Sequence, residues 1–170
     1  MIRNDQLKKD KPTLGIIDSK SIDNTDTAKE KGYDAGKKVS GIKIHVVCDT
    51  LGLPHAIHVT TADVTDRDGA IEMIALNVDA LSVVVKFVAD NGYSGELFAS
   101  VIRQIHGAEV EIVKRNELHQ FVVLPKRWIV ERSFGWLEKS RRLWKNCERK
   151  LHTTLEITVL TFISVLIRRF

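Results

Sequence analysis

Apolar positions recur at two spacings along the chain, and the switches between them mark its elements. Residues 14–18 (LGIID) form a short apolar run closed by an acid and predict a buried strand. Residues 19–40 are polar, with Gly32, Gly36 and five lysines, and predict a long mobile loop. Over residues 41–49, Ile42, Ile44, Val46 and Cys48 share one face at the two-residue spacing of a half-buried strand. A turn at 50–54 and a returning strand at 56–60 complete a predicted hairpin. Asp66 or Asp68 is placed to cap a helix to about Asn77, with Ile71, Ile74, Ala75 and Val78 facing inward. The run 83–89 is almost continuously apolar, as in a central strand covered on both faces. Ser94 is placed to cap a helix through Ile105 that buries Leu97, Val101, Ile102 and Ile105, and 110–113 reads as a fifth strand. A further helix starts near Arg127 with Val130, Phe134 and Leu137 in phase. The last, 153–167, is apolar almost all round, which predicts deep packing or a partner.

The order is three strands, a helix, a strand, a helix, a strand and two helices. That predicts an α/β fold, a mixed five-stranded sheet with helices on both faces, the arrangement of the ribonuclease H-like fold. A chain of 170 residues, 44% apolar and 28% charged, suits one folded domain and excludes wholesale disorder. Cys48 and Cys147 make no disulfide framework and no zinc spacing, which favours a reducing, cytoplasmic compartment. The longest apolar stretch, 159–167, is about half of the ~20 residues a membrane span needs, and the polar N-terminus is no signal peptide. Neither membrane nor secretion is expected.

The formal charge of +4 conceals a strong asymmetry. Residues 44–125 carry 5 basic and 11 acidic side chains, whereas 126–150 carry 9 basic and 3 acidic. A basic run alone is either a solvated helix face or a stripe for a polyanion. Three acids bear on that choice. Asp18 closes the first strand, Asp90 follows the fourth in ADNGY, and Glu131 opens the basic helix. Acids at the ends of adjacent strands point into the crevice where sheet ligands bind, and massed carboxylates call for a cation. Oxygen-only ligands suit Mg²⁺ or Mn²⁺, and a pair of such ions serves phosphodiester chemistry. Each acid also has a plainer reading. Asp18 and Asp90 fit turns or caps, and Glu131 fits an ion pair with Arg127 four residues earlier.

The pieces IIDSKSI (16–22), Gly41-Ile42-Lys43, ADNGYSG (89–95) and RWIVERSFGWLEKSRRL (127–143) together resemble the catalytic domain of bacterial insertion-sequence transposases of the DDE type, most nearly the IS-five family. The resemblance covers about residues 13–150, and the last piece is the most specific. It implies that Asp18, Asp90 and Glu131 are the catalytic triad and hold two Mg²⁺ (or Mn²⁺) ions. It also implies cleavage at the ends of an insertion sequence, then strand transfer of the freed 3′ hydroxyl into target DNA. Relatives carry a Tyr-x2-Arg-x3-Glu-x6-Lys pattern, which Arg127 and Glu131 match. Leu124 stands at the Tyr position and Glu138 at the Lys position, with Lys139 one residue, or about 100° of helix, further on. Lys139, Arg141 and Arg142 are therefore expected to share the backbone contact, with Arg127 and Arg132 beside them.

Other residues carry open alternatives. Lys43 either approaches substrate or is a solvent-facing strand lysine. Asp63, Asp66 and Asp68 lack the glycine and distal glutamate of a calcium loop and are read as loop and capping residues. Trp136 is expected in the core, Trp144 is placed to stack on an exposed base, and Tyr93 is either structural or a DNA-positioning residue. The domain expected is 1–170, with its core at about 13–150, a C-terminal helix at 153–167, and no N-terminal DNA-binding region, which an upstream reading frame would then supply. Double-stranded DNA, as terminal inverted repeats and target, is the expected partner, bound by a homo-oligomer. The rivals are a ribonuclease H-like nuclease without strand transfer and a truncated remnant that only binds DNA.

Overall fold

The computed structural model describes residues 11–113 and 127–169. Its strands are β1 (Leu14–Asp23), β2 (Gly32–Asp34), β3 (Val39–Cys48), β4 (Pro54–Thr61), β5 (Lys86–Asp90) and β6 (Glu109–Val113). Its helices are α1 (Asp66–Leu76), the single turn α2 (Val78–Leu81), α3 (Glu96–His106), α4 (Arg127–Leu137) and α5 (Leu151–Arg169). The sheet runs β4–β3–β1–β5–β6, with short β2 extending the β4 edge of β3. β1 is antiparallel to β3 and parallel to β5, which is parallel to β6. The five expected strands are present in a mixed sheet, and β2 is a sixth.

Helices cover both faces. α4 and α5 bury Ile16, Ile44, Val46, Val130, Phe134, Trp136 and Phe162, whereas α1 and α3 bury Ile17, Val47, Met73, Ile74, Phe87, Phe98 and Ile102. β3 lies between them and is buried on both sides, not one. The side away from Ile42 and Ile44 is Lys43, His45 and Val47, and α1 seals it. Gly69 makes that close approach possible, since a Cβ there would sit 2.2 Å from the His45 ring.

Nearly half of the predicted loop at 19–40 is strand. β1 continues to Asp23, paired with β3 down to Gly41, and β2 pairs with the other edge of β3. Thr65, not Asp66 or Asp68, caps α1, its Oγ1 accepting from Asp68 N at 3.1 Å and donating to Asp68 Oδ2 at 2.7 Å. Gly69, Ala70, Met73 and Ile74 form the inner face of α1, and Ala75 is exposed. Gly95 occupies the cap position of α3 in place of Ser94, and Leu97 is exposed, because the helix turns Phe98 and Ile102 inward. α5 buries only one stripe, Thr154, Thr158 and Phe162, and leaves Leu160, Ile163 and Ile167 exposed. By length and composition alone, Leu151–Arg168 would suffice to cross a membrane, so the short apolar stretch at 159–167 understated this helix.

Candidate active site

Asp18 and Asp90 meet because of the parallel register between β1 and β5. Ile16 pairs with Val88, and each acid lies two residues further along its strand. Side chains two apart share a face of the sheet, so both carboxylates project to the same side where the strands part. They line one tight crevice of about 10 Å³, walled by Ile16, Val88 and Val130. Val130 belongs to α4, and Glu131 is the exposed residue after it.

Backbone donors fix both strand acids. Asp18 Oδ1 accepts from Ser19 N at 2.8 Å. Asp90 Oδ1 accepts from Gly92 N at 2.8 Å and so caps the 3-10 turn Asn91–Tyr93. That turn drives Tyr93 into the core at 1% exposure, so Tyr93 is structural. Burial, together with the Asp18, Asp66 and Asp90 charges, holds its hydroxyl pKa well above the ordinary value, against a smaller opposing pull from Ser19. Among the described residues no group of three or more His, Cys, Asp or Glu side chains is arranged to hold a metal. The crevice gathers two carboxylates, with Glu131 on the helix beside it. Mg²⁺ suits such a site, since it binds through one or two carboxylates and fills its shell with water and phosphate.

The basic residues divide into several groups. Lys43 is neither solvent-facing nor at a DNA-accessible surface. Its side chain is 5% exposed, and Nζ lies 2.7 Å from Val64 O, 2.9 Å from Asp66 Oδ1 and 3.4 Å from Asp34 Oδ2. Asp66 is thus the partner of a buried lysine, and it also lies 3.5 Å from Lys37 Nζ. Arg132 is likewise committed to the fold. Its guanidinium sits 4.7 Å from the Trp128 ring and 5.2 Å from Trp136, and Nη2 donates to Leu51 O at 2.8 Å. α4 ends at Leu137, so Lys139, Arg141 and Arg142 lie beyond it, the latter two in a 3-10 turn. The helical rotation expected between positions 138 and 139 therefore does not apply. Lys139 and Arg141 are exposed, while Arg142 pairs with Glu148. Leu124 and the Arg127 side chain lie outside the described residues. Trp136 is in the core as expected, and Trp144 is 67% exposed with its indole N–H bonded to Glu138 O.

Two residues that the sequence pattern passed over have definite structural partners. Asp49 is fully buried, and its carboxylate accepts from Leu51 N, Leu53 N and His55 Nε2 at 2.7, 3.0 and 3.1 Å. Burial pushes its pKa up, but the bonds from His55, Leu53 and Leu51 outweigh that and hold it below the usual range. An acid opening a Thr-Leu-Gly turn is the visible signal for such a role. Lys37, by contrast, has no linear signal, because only the β2–β3 turn brings it to β1.

Residues 9–166 match the family model described as Transposase DDE domain. A Burkholderia cepacia protein assigned as the transposase of insertion sequence element IS402 is 33% identical over 117 residues, 65% of this chain and 55% of that protein. The chain thus spans about half the length of this curated relative. Among solved structures, the simian T-cell lymphotropic virus intasome in complex with PP2A regulatory subunit B56 gamma contains a chain that superposes with a TM-score of 0.57. The match covers 89% of this chain and 48% of that one at 15% identity, a likeness of fold. The fold is ribonuclease H-like.

Proposed function

The chain belongs to the transposase DDE domain family, and from that premise we propose that it is a single catalytic domain that cuts DNA at insertion-sequence ends and joins the freed 3′ hydroxyl to target DNA. The observation that carries this is the β1–β5 register, which delivers Asp18 and Asp90 to one crevice under α4. Asp18 and Asp90, with Glu131 from α4, would hold the divalent ions. When bound, two such ions activate the attacking oxygen and stabilise the leaving 3′ oxygen. The chain's own part is to fix the carboxylates. Ser19 N and Gly92 N hold one oxygen of each strand acid in place, so little reorganisation is needed when phosphate arrives. Ile16, Val88 and Val130 make the crevice wall apolar and limit the water around it. Lys139 and Arg141, exposed beyond the end of α4, contact DNA phosphates and give affinity that falls with salt. Arg142, whose side chain is 58% exposed, can join them by leaving Glu148. Terminal inverted repeats and target DNA are the partners, synapsed by a homo-oligomer in the bacterial cytoplasm.

The test is a plasmid carrying insertion-sequence ends, incubated with the wild-type chain or with Asp18→Asn in Mg²⁺. Wild type nicks the ends and produces joined products. The variant binds DNA but loses cleavage, because a carboxylate that would hold the divalent ions is gone. Cleavage by Asp18→Asn at the wild-type rate would sink the triad assignment. Nicking without joined products would make the protein a nuclease, and binding without nicking would make it a remnant.

A further inference from the structure

A groove of about 610 Å³ lies between the end of α4 and the outer side of α5. Thr161, Ser164 and Arg168 follow one another along its α5 wall at i, i+3 and i+7, one side of a helix. Lys139, Ser140 and Arg142 form the other wall, in the segment that leaves α4. Trp136 and Ile157 add apolar surface between the walls. The groove thus gathers three cations and three hydroxyls from two elements 21 residues apart in the Ser140–Thr161 pair, whose oxygens lie at 3.4 Å.

Among the described residues no acidic side chain lines this groove. Glu138, next to Lys139, is turned to Lys20 on β1, and Glu148 meets Arg142. Glu156, the one acid of α5, is not part of either wall. An arginine near a helix C-terminus alone would simply answer the helix dipole. Three cations around one groove repel each other, and an anion among them relieves that repulsion. A nucleic-acid backbone matches the whole set. Its phosphates suit the cations, and serine and threonine hydroxyls are common donors to phosphate oxygens. Lys139 and Arg142 are DNA contacts on the functional reading above, so the groove carries that track onto α5.

We infer that the groove between the end of α4 and α5 holds duplex DNA backbone, with Arg168, Thr161 and Ser164 as phosphate contacts. The inference rests on reading Lys139 and Arg142 as DNA contacts. Its test is fluorescence anisotropy of a labelled short duplex against salt, with wild type, Arg168→Gln, Arg168→Lys and Ser164→Glu. Gln lowers the slope of log affinity against log salt by about 0.9, the loss of one phosphate contact, and Lys restores it. Ser164→Glu sets a carboxylate in the groove and weakens binding most at low salt. Both positions are exposed, so the variants keep the wild-type melt followed by circular dichroism. Because Leu160 also lines the groove and is exposed, flotation with phosphatidylglycerol vesicles checks for a lipid occupant instead. A wild-type slope for Arg168→Gln, or wild-type affinity for Ser164→Glu, overturns the inference. Vesicle binding that Arg168→Gln abolishes, beside an unchanged duplex slope, makes the groove a lipid site and overturns it too. If Lys139→Gln still flattens the slope in that case, the functional reading stands. If the wild-type chain binds no duplex at all, both fall together.

Discussion

Replacing Lys43 by Met separates two roles that a lysine in β3 can have. In the structure its charge is buried, with Val64 O, Asp66 and Asp34 around it. Met keeps most of the side-chain volume and removes the charge, so the loss comes from the carboxylates left behind. Breaking a buried pair by removing one partner costs about 3–5 kcal/mol. Here the lower end applies. Asp66 is 29% exposed and keeps Lys37 nearby, and Asp34 keeps its bonds from the Ser21 hydroxyl and Lys37 N. A loss of about 3 kcal/mol at pH 7 follows, or roughly 6–12 °C in Tm for a domain of this size.

Acid provides the control. Burial pushes the pKa of both aspartates up, but Lys43 and hydrogen bonds to Ser21, Ser19 and Lys37 more than offset it, and both lie below the ordinary 3.8. Their stabilisation is present above the unfolded pKa and is lost as pH falls through the folded values. In the variant the same carboxylates take up protons more readily, so its deficit narrows on acidification. Urea unfolding followed by tryptophan fluorescence at pH 7 and near pH 4 measures both points. A loss below about 1 kcal/mol at pH 7, or a deficit that does not change with pH, would refute the buried-pair argument. A normal melt with a shallower DNA salt slope would instead return Lys43 to the contact role that its place in the sequence suggests.

His45 and Arg132 give sharper, smaller tests. Burial lowers the His45 pKa to about 3, against a mild opposing pull from Asp66, so the ring is neutral in the folded protein. Folded stability is then full above about pH 6.5 and falls by about 1.4 kcal/mol per unit below it. Between pH 7 and 5 wild type should lose about 2 kcal/mol more than His45→Gln in urea midpoints, and an equal loss would show that His45 protonates freely. Arg132→Ala removes the stacking on two indoles and the bond to Leu51 O. It should cost about 1–3 kcal/mol while leaving the DNA salt slope unchanged. A flatter slope at wild-type stability would make Arg132 a phosphate contact after all.

The legible parts were those written locally. Apolar runs at 14–18 and 83–89 marked the two central strands, and acids closing them marked Asp18 and Asp90 before any topology was known. The phase of Val130, Phe134 and Leu137 likewise fixed the buried face of α4. What escaped depends on the neighbours. Residues 20–23 look like loop because Lys20, Ser21 and Asp23 are polar, yet pairing with β3 makes them strand. A two-residue period shows that Ile42 and Ile44 face one way but is silent on what covers Lys43 and His45. Arg132 and Arg141 are alike as sequence, and only the two indoles and the Leu51 carbonyl tell them apart. Lys37 was invisible for the same reason, since its place against Ser19 and Asp66 exists only after the β2–β3 turn has formed.

The fork in the sheet also bears on the order in which the molecule assembles. β1 pairs with β3 from Ile16 to Asp23, across the connection 24–38 that carries β2, but meets β5 only from Leu14 to Ile16 and much further along the chain. Contacts that close short loops form ahead of those that close long ones. The hairpin of β1, β3 and β4 can therefore be in place while β5 is still undocked, and in that interval Asp18 has no Asp90 beside it. A chain caught there would hold much of its sheet and no crevice. On the proposed reading, the carboxylate pair is complete only once β5 has docked on β1, so the site depends on the less local of the two β1 pairings.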